Sequence, residues 1–396
     1  MRDLALWLME WIRVLLVQGR LSYRYASLLP PIVRVLAARD EAARRLAWKK
    51  PVSAVRFLTV GQLRFGDTGW SRWQAARKVF GAAEGMDISP WIVGLPVWGR
   101  VWTNHLYHSA AIRDLNRQLL RKVSDFQPDL LWVEKGLHLF PETLRQIQSG
   151  GAMQIHFSPD NQMVFANQSR HYLASVPLYD LHVTTKRHNV DWLMRCGARR
   201  VECMGKGFDP ELHRPMELTD PEREKYGCDI GFVGHQEPGR EALLLKLWKL
   251  GFRMKVWGGG WRRASLRKHP LFQNASHLVG EEYVKAICGA KINLCLLSAW
   301  FGDRSTARSV EIPACGQFML GERTEEHQAL FKEGEEAEFY ATQQEMLEKI
   351  GHYLRREEER RKIAQAGRAR SLQGYTHEAR WRELSAQVMG TEPCAG

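Results

Sequence analysis

From residue 52 onward, short runs of β-branched and aliphatic residues alternate with stretches whose apolar positions recur every three to four residues. That alternation predicts βαβ units and a parallel sheet. A buried strand over 55–60 ends in a glycine-containing loop (Gly61, Gly66, Gly69) and leads into a helix over 71–83. A second strand is expected over 88–93. A long helix over 106–124 precedes strands at 130–133 and 153–157, with a helix over 142–148 between them. Strands at 180–183 and 200–203, separated by a helix over 190–194, complete the first run. A second run has strands at 230–233, 254–257, 292–297 and 318–320 and helices at 240–250, 281–287 and 306–314.

Between the runs, residues 206–227 carry proline, glycine and acidic punctuation with no hydrophobic period, the composition of a linker. Helices over 343–356 and 357–369 follow the second run, with Glu357/Arg361 and Glu358/Lys362 at the spacing of a solvated helix face. The expected organisation is a segment at 1–50, a domain at 51–205, the linker, a domain at 228–370, and a tail at 371–396 that packs back on the first domain. The fold class is α/β, with two doubly wound Rossmann-like domains. In open parallel sheets ligands bind beyond the C-terminal strand ends, so a site is expected in a cleft where two such domains face each other.

Charge changes the picture at the N-terminus. The chain carries 57 Lys and Arg against 44 Asp and Glu, a net +13, which favours anionic partners. Residues 1–50 hold ten of the cations against four acids, so the bias is concentrated there. Their opening, LALWLMEWIRVLLV, places Leu4, Leu8, Trp11 and Leu15 on one helical stripe but contains Glu10 and Arg13. A signal-peptide core is excluded by those charges, and no apolar run reaches the roughly 20 residues of a membrane span. The segment reads either as an amphipathic helix lying on an anionic membrane or as a helical pair on the protein's own core. Seven cysteines without CxxC pairs read as reduced thiols, and neither a disulfide framework nor a structural metal site is expected.

The chemistry concentrates in residues 303–320, DRSTARSVEIPACGQFML, and the GERTEEHQALF that follows. Asp303 and Glu311 are separated by seven residues, with Gly316 beyond. This stretch resembles the C-terminal region of CgeB-like glycosyltransferases, relatives of the family-4 enzymes of GT-B fold. Asp303 stands where the family has a first Glu. The resemblance implies that Glu311, inside a helix, accepts the ribose hydroxyls of a nucleotide and that Asp303 reaches the sugar. Ser305, Thr306 and Arg308 would hold the diphosphate at the helix N-terminus, where backbone N–H groups and the dipole favour an anion. Gly234 and His235, at the end of the 230–233 strand, and Arg240 occupy the places of a phosphate-gripping turn. Gly258 and Gly259 correspond to a turn that lets the nucleobase approach backbone.

In the first domain, His156 aligns with a histidine that contacts the transferred sugar, and Asp160 is the nearby carboxylate that could serve as base. Glu134 and Lys135, at the preceding strand end, and the loop of Gly66, Gly69 and Trp70 are expected on the acceptor side. The implied activity is metal-independent transfer from a nucleotide-diphosphate sugar, retaining by resemblance, with no cofactor. The acceptor is a cell-surface glycan, a lipid-linked sugar or a protein, and the setting is cytoplasmic or peripheral on the membrane's inner face. A nucleic-acid acceptor ranks lower, because no nucleic-acid-binding motif accompanies the charge. A silent GT-B binding protein is the alternative from another class.

Overall fold

The computed structural model describes residues 50–93, 109–164, 167–261, 268–272, 275–299 and 301–389, so the amphipathic reading of 1–50 falls almost wholly outside the described residues. The described chain divides into two compact units. One holds the residues up to Gly205 together with those from Trp381 onward, and the other holds Lys206–Arg380.

The first unit is built on a six-stranded sheet in the order β2-β1-β3-β4-β5-β6. Its strands are β1 (Arg56–Gly61), β2 (Ala82–Asp87), β3 (Leu130–Glu134), β4 (Met153–Ser158), β5 (Leu181–Thr184) and β6 (Val201–Cys203), and every pairing is parallel. All the C-terminal strand ends therefore lie along one edge. Strand order reverses between β1 and β3, which makes that gap the switch point of the sheet. The second strand is not the expected 88–93. It is the AAEGMD segment at 82–87, and Ser89–Ile92 forms a short helix. As an edge strand in which only Met86 is buried and most residues are half-exposed, β2 has no need of an apolar run. Below the sheet, Phe57, Phe80, Trp132 and Phe157 form an aromatic core, closed by Trp381, Leu384 and Val388 of the last helix, His377–Met389. Trp381 stands edge-on to Trp132 at 4.5 Å and donates its indole N–H to the Arg72 carbonyl.

The second unit has a five-stranded parallel sheet in the order β11-β10-β9-β7-β8. Its strands are β7 (Cys228–Val233), β8 (Met254–Trp257), β9 (Ala290–Cys295), β10 (Met319–Glu322) and β11 (Glu338–Tyr340). The order reverses between β7 and β9, so a ligand crevice is expected beyond Val233 and Cys295. Residues 206–227 are not a linker. Phe208 is fully buried in this unit and bridges to Thr376, and Thr219 with Glu222 forms a capping box that starts the helix Asp220–Tyr226. The prolines and acids that imitate a linker are the punctuation of that helix start.

Candidate functional site

At the switch point of the second unit, two guanidinium groups converge. Arg240, in the helix Pro238–Lys249, is only 8% exposed. It donates to the His235 carbonyl at 3.0 Å and to the Leu296 carbonyl at 3.3 Å, and pairs with Glu237 at 2.7 Å. Arg308, at the start of the helix Arg308–Ala314, donates to the same Leu296 carbonyl at 2.9 Å and to Val233 O. Both guanidinium groups lie over the Phe232 ring, at 5.8 and 5.1 Å from its centroid. Burial, and after it the neighbouring Arg308, lower the pKa of Arg240; Glu237, Asp303 and Glu322 act the other way. Among the described residues, the Arg240 Nε is buried without a hydrogen-bond partner. Two cations thus share one carbonyl, with Glu237 the one directly paired carboxylate among the described residues, an arrangement that an anion would relieve.

The turns around them are interlocked. Gly234 N–H donates to Trp257 O, Gln236 N–H to Gly259 O, and the Trp261 indole to Gly234 O at 2.7 Å. Gly258 has φ 128°, and a Cβ there would collide with the Gly234 backbone, so this turn requires glycine. Gly259 lies against the His235 ring. His235 is exposed, and its pKa is lowered by desolvation and then by His277, Arg240 and Arg308. Its imidazole is therefore neutral near pH 7 and offers a hydrogen bond rather than a charge.

Glu311 is buried in the middle of the Arg308–Ala314 helix. Its Oε2 accepts from the Tyr283 hydroxyl at 2.5 Å, and its Oε1 lies 3.6 Å from His213 Nε2. Tyr283 is pushed well above the ordinary phenol range by burial and by Glu311. Neither partner was foreseen: His213 belongs to the supposed linker and Tyr283 to the helix Glu281–Cys288. The helix begins at Arg308, not at 306. Ser305 therefore precedes the helix and its hydroxyl donates to Glu326, while the Thr306 hydroxyl accepts from Arg308 N–H at 3.1 Å. Ser309 links this loop to the fully buried His327, Oγ to Nε2 at 2.7 Å, and His327 Nδ1 donates to Glu322 O. Asp303 N–H donates to Ser298 O, and its carboxylate lies near enough to Arg240 to support that cation's charge.

In the first unit the expected residues are distributed differently. Glu134 is not presented to solvent at the strand end. It forms a buried two-point ion pair with Arg72 (2.8 and 2.7 Å) and accepts from the Trp132 indole at 3.0 Å. His156 is fully buried, its ring lying between Tyr172 and Tyr179 with centroids 4.8 and 5.2 Å away, so it has no surface with which to contact a sugar. Lys135 is exposed and pairs with Asp160 at 2.7 Å. It has φ 63°, an uncommon value for a residue with a Cβ, and the Gly136 N–H closes a three-residue turn onto Glu134 O. Gly66 and Gly69 lie in the turn before, and the first turn of, the helix Thr68–Val79. Half-buried Trp70 meets the exposed Phe65 edge-on at 5.1 Å. Among the described residues, no group of three or more His, Cys, Asp or Glu side chains is disposed to hold a metal ion, and no helix is long and apolar enough to cross a membrane.

Two parallel-sheet units of this topology are shared with solved structures. HepE of Anabaena, in complex with UDP, superposes with TM-score 0.54 over 85% of this chain and 100% of its own, at 12% identity. Sucrose-phosphate synthase from Thermosynechococcus elongatus gives 0.58 over the same shares at 11% identity. The chain has the GT-B glycosyltransferase fold. A glycosyltransferase from Rickettsia africae aligns with the same GT-B architecture, at TM-score 0.56 and 12% identity over 86% of this chain and 100% of its own. Residues 240–386 match the family model described as "Glycosyl transferase-like", a span that opens on Arg240 and contains Asp303, Arg308 and Glu311. No curated protein matches the chain.

Proposed function

We propose that this protein transfers a glycosyl group from a nucleotide-diphosphate sugar, with the donor bound at the switch point of the second unit. The observation that carries the reading is the Arg240–Arg308 pair over Phe232, inside the glycosyl transferase-like span. Departure of a diphosphate needs positive charge placed in advance, and two fixed guanidinium groups supply it with no reorganisation at the moment of reaction. The reading gives that task to arginine and assigns none to a metal ion. Glu311, oriented by Tyr283, would accept the ribose hydroxyls, and Asp303 a sugar hydroxyl. The Gly258–Gly259 turn, packed against Gly234 and His235, would present its backbone to a base, and neutral His235 would donate to the diphosphate. HepE of Anabaena was also solved with UDP-glucose, which makes a uridine donor the first to try.

On the acceptor side, Lys135, Asp160 and the Phe65–Trp70 loop are the exposed or half-exposed groups at strand ends of the first unit, and they suit a hydroxylated glycan acceptor. Asp160 is the general base of this reading, in place of His156. Residues 1–50 would serve as a contact for an anionic membrane, which flotation of the full chain with phosphatidylglycerol vesicles tests. The donor assignment is tested by thermal shift and nucleotide release over UDP-, GDP-, dTDP-, ADP- and CMP-sugars, with wild type and Glu311→Ala. Stabilisation by one nucleotide family, lost in Glu311→Ala, is expected. Absence of binding to every member would overturn the reading.

A further inference from the structure

Two fully buried histidines in the first unit form a chain that is one proton short. His182 Nε2 lies 2.8 Å from Val176 O, His182 Nδ1 lies 3.0 Å from His156 Nδ1, and His156 Nε2 lies 3.2 Å from Lys135 O. Each of these three links needs one N–H, because the two terminal atoms are carbonyl oxygens that can only accept. Two neutral imidazoles carry two N–H groups between them, so one link has no proton. The shortest link, to Val176, takes the Nε2–H of His182. Its Nδ1 then presents a lone pair, to which His156 donates from Nδ1. The link left open is the longest one, to the carbonyl of Lys135.

The groups facing the pair do not supply the missing proton. Among the described residues, the Tyr172 and Tyr179 hydroxyls are buried without a hydrogen-bond partner, Cys196 acts electrostatically on Tyr172, and the Lys135 ammonium pairs with Asp160. Among the described residues, the charge of the imidazoles answers to burial, which lowers both pKa values, to His182, which lowers that of His156, and to the two backbone carbonyls, which raise them.

We propose that His182 is a positioning residue for the Lys135–Gly136 turn. With two protons in the pair, His156 is turned toward His182 and the Lys135 carbonyl is released; a third proton taken from solvent ties it down. Lys135 holds a left-handed backbone conformation that its surroundings must maintain. The proton count therefore sets how firmly the Lys135–Asp160 pair is presented. That this pair faces an acceptor rests on the function proposed above, whereas the proton arrangement does not.

The test is long-range 1H–15N correlation spectroscopy of the imidazoles in the full chain, with backbone amide shifts of Lys135 and Gly136. At pH 7.5 the wild type is expected to show His182 as the Nε2–H tautomer and His156 as Nδ1–H. In His182→Phe, His156 loses its acceptor and is expected to switch to Nε2–H. The Lys135 and Gly136 amides then move at pH 7.5 toward their acid-limit positions in the wild type. His182→Leu, which likewise leaves His156 Nδ1 without an acceptor, gives the same readout if the phenylalanine variant does not fold. Finding Nε2–H on both histidines in the wild type would overturn the proposal, as would amides that ignore the tautomer of His156. For turnover of a UDP-sugar, His182→Leu is expected to lower kcat about tenfold with the donor KM unchanged and to flatten the acid limb of the kcat profile. Absence of turnover in the wild type would count against the proposed function and leave the tautomer result decisive.

Discussion

Tyr283→Phe removes a single oxygen atom, and the structure says what that atom does. The Tyr283 hydroxyl donates to Glu311 Oε2 at 2.5 Å in a buried setting, and among the described residues the other carboxylate oxygen has only His213, 3.6 Å away. A hydrogen bond to a charged acceptor contributes about 1.5–3 kcal/mol, and loss of one hydroxyl oxygen opens no cavity worth counting. The variant is therefore expected to lower the melting temperature of the second unit by about 2–4 °C for each kcal/mol lost. On the proposed donor assignment, Glu311 would also no longer be fixed in the orientation needed to accept a ribose. Binding of UDP is expected to weaken about tenfold to a hundredfold, while inorganic pyrophosphate, which has no ribose, binds as before. Isothermal titration of both ligands on wild type and variant separates the two. Equal losses for UDP and pyrophosphate would refute the ribose assignment, and unchanged UDP binding would refute the role of the hydroxyl.

Other consequences concern the first unit. Arg72→Met leaves Glu134 buried with, among the described residues, only the Trp132 indole, and should cost about 3–5 kcal/mol in urea unfolding, most of it regained in Arg72→Met/Glu134→Leu. Additive losses in the double variant would contradict a buried pair. Trp381→Ala, which removes the ring closing the Phe57–Trp132 core, should cost about 3–5 kcal/mol and detach the last helix in hydrogen exchange. Burial lowers the pKa of His182 to about 4 from an ordinary 6.5. The unfolded chain thus binds more protons between those values, and stability should fall as pH drops from about 6.5 toward 4. His182→Asn should make that slope shallower; an unchanged slope would show that other groups carry it.

The alternation of short apolar runs with amphipathic stretches made two parallel sheets legible, because strands buried on both faces need continuous hydrophobic residues. The same logic missed β2, which as an edge strand has little to bury, and assigned its place to the apolar 88–93 segment. Residues 206–227 looked like a linker because a capping box and a helix-starting proline use the residue types of loops. Arg240, Arg308 and Glu311 could be found from spacing and resemblance. Their partners could not: His213, Tyr283 and Leu296 reach the site from other elements through tertiary packing alone. His156 shows the limit most clearly. A histidine at a strand end looks reactive in sequence, and only the rings of Tyr172 and Tyr179 and the facing His182 reveal that it is enclosed.

The central claim is that Arg240 and Arg308 together hold a nucleoside diphosphate. Titration of UDP into wild type, Arg308→Met and Arg240→Met tests it most directly, with circular dichroism to confirm that each variant is folded. The account predicts saturable binding in the wild type, weakened at least tenfold in each folded variant and steeply reduced by added salt. Wild-type affinity retained in both variants would contradict it.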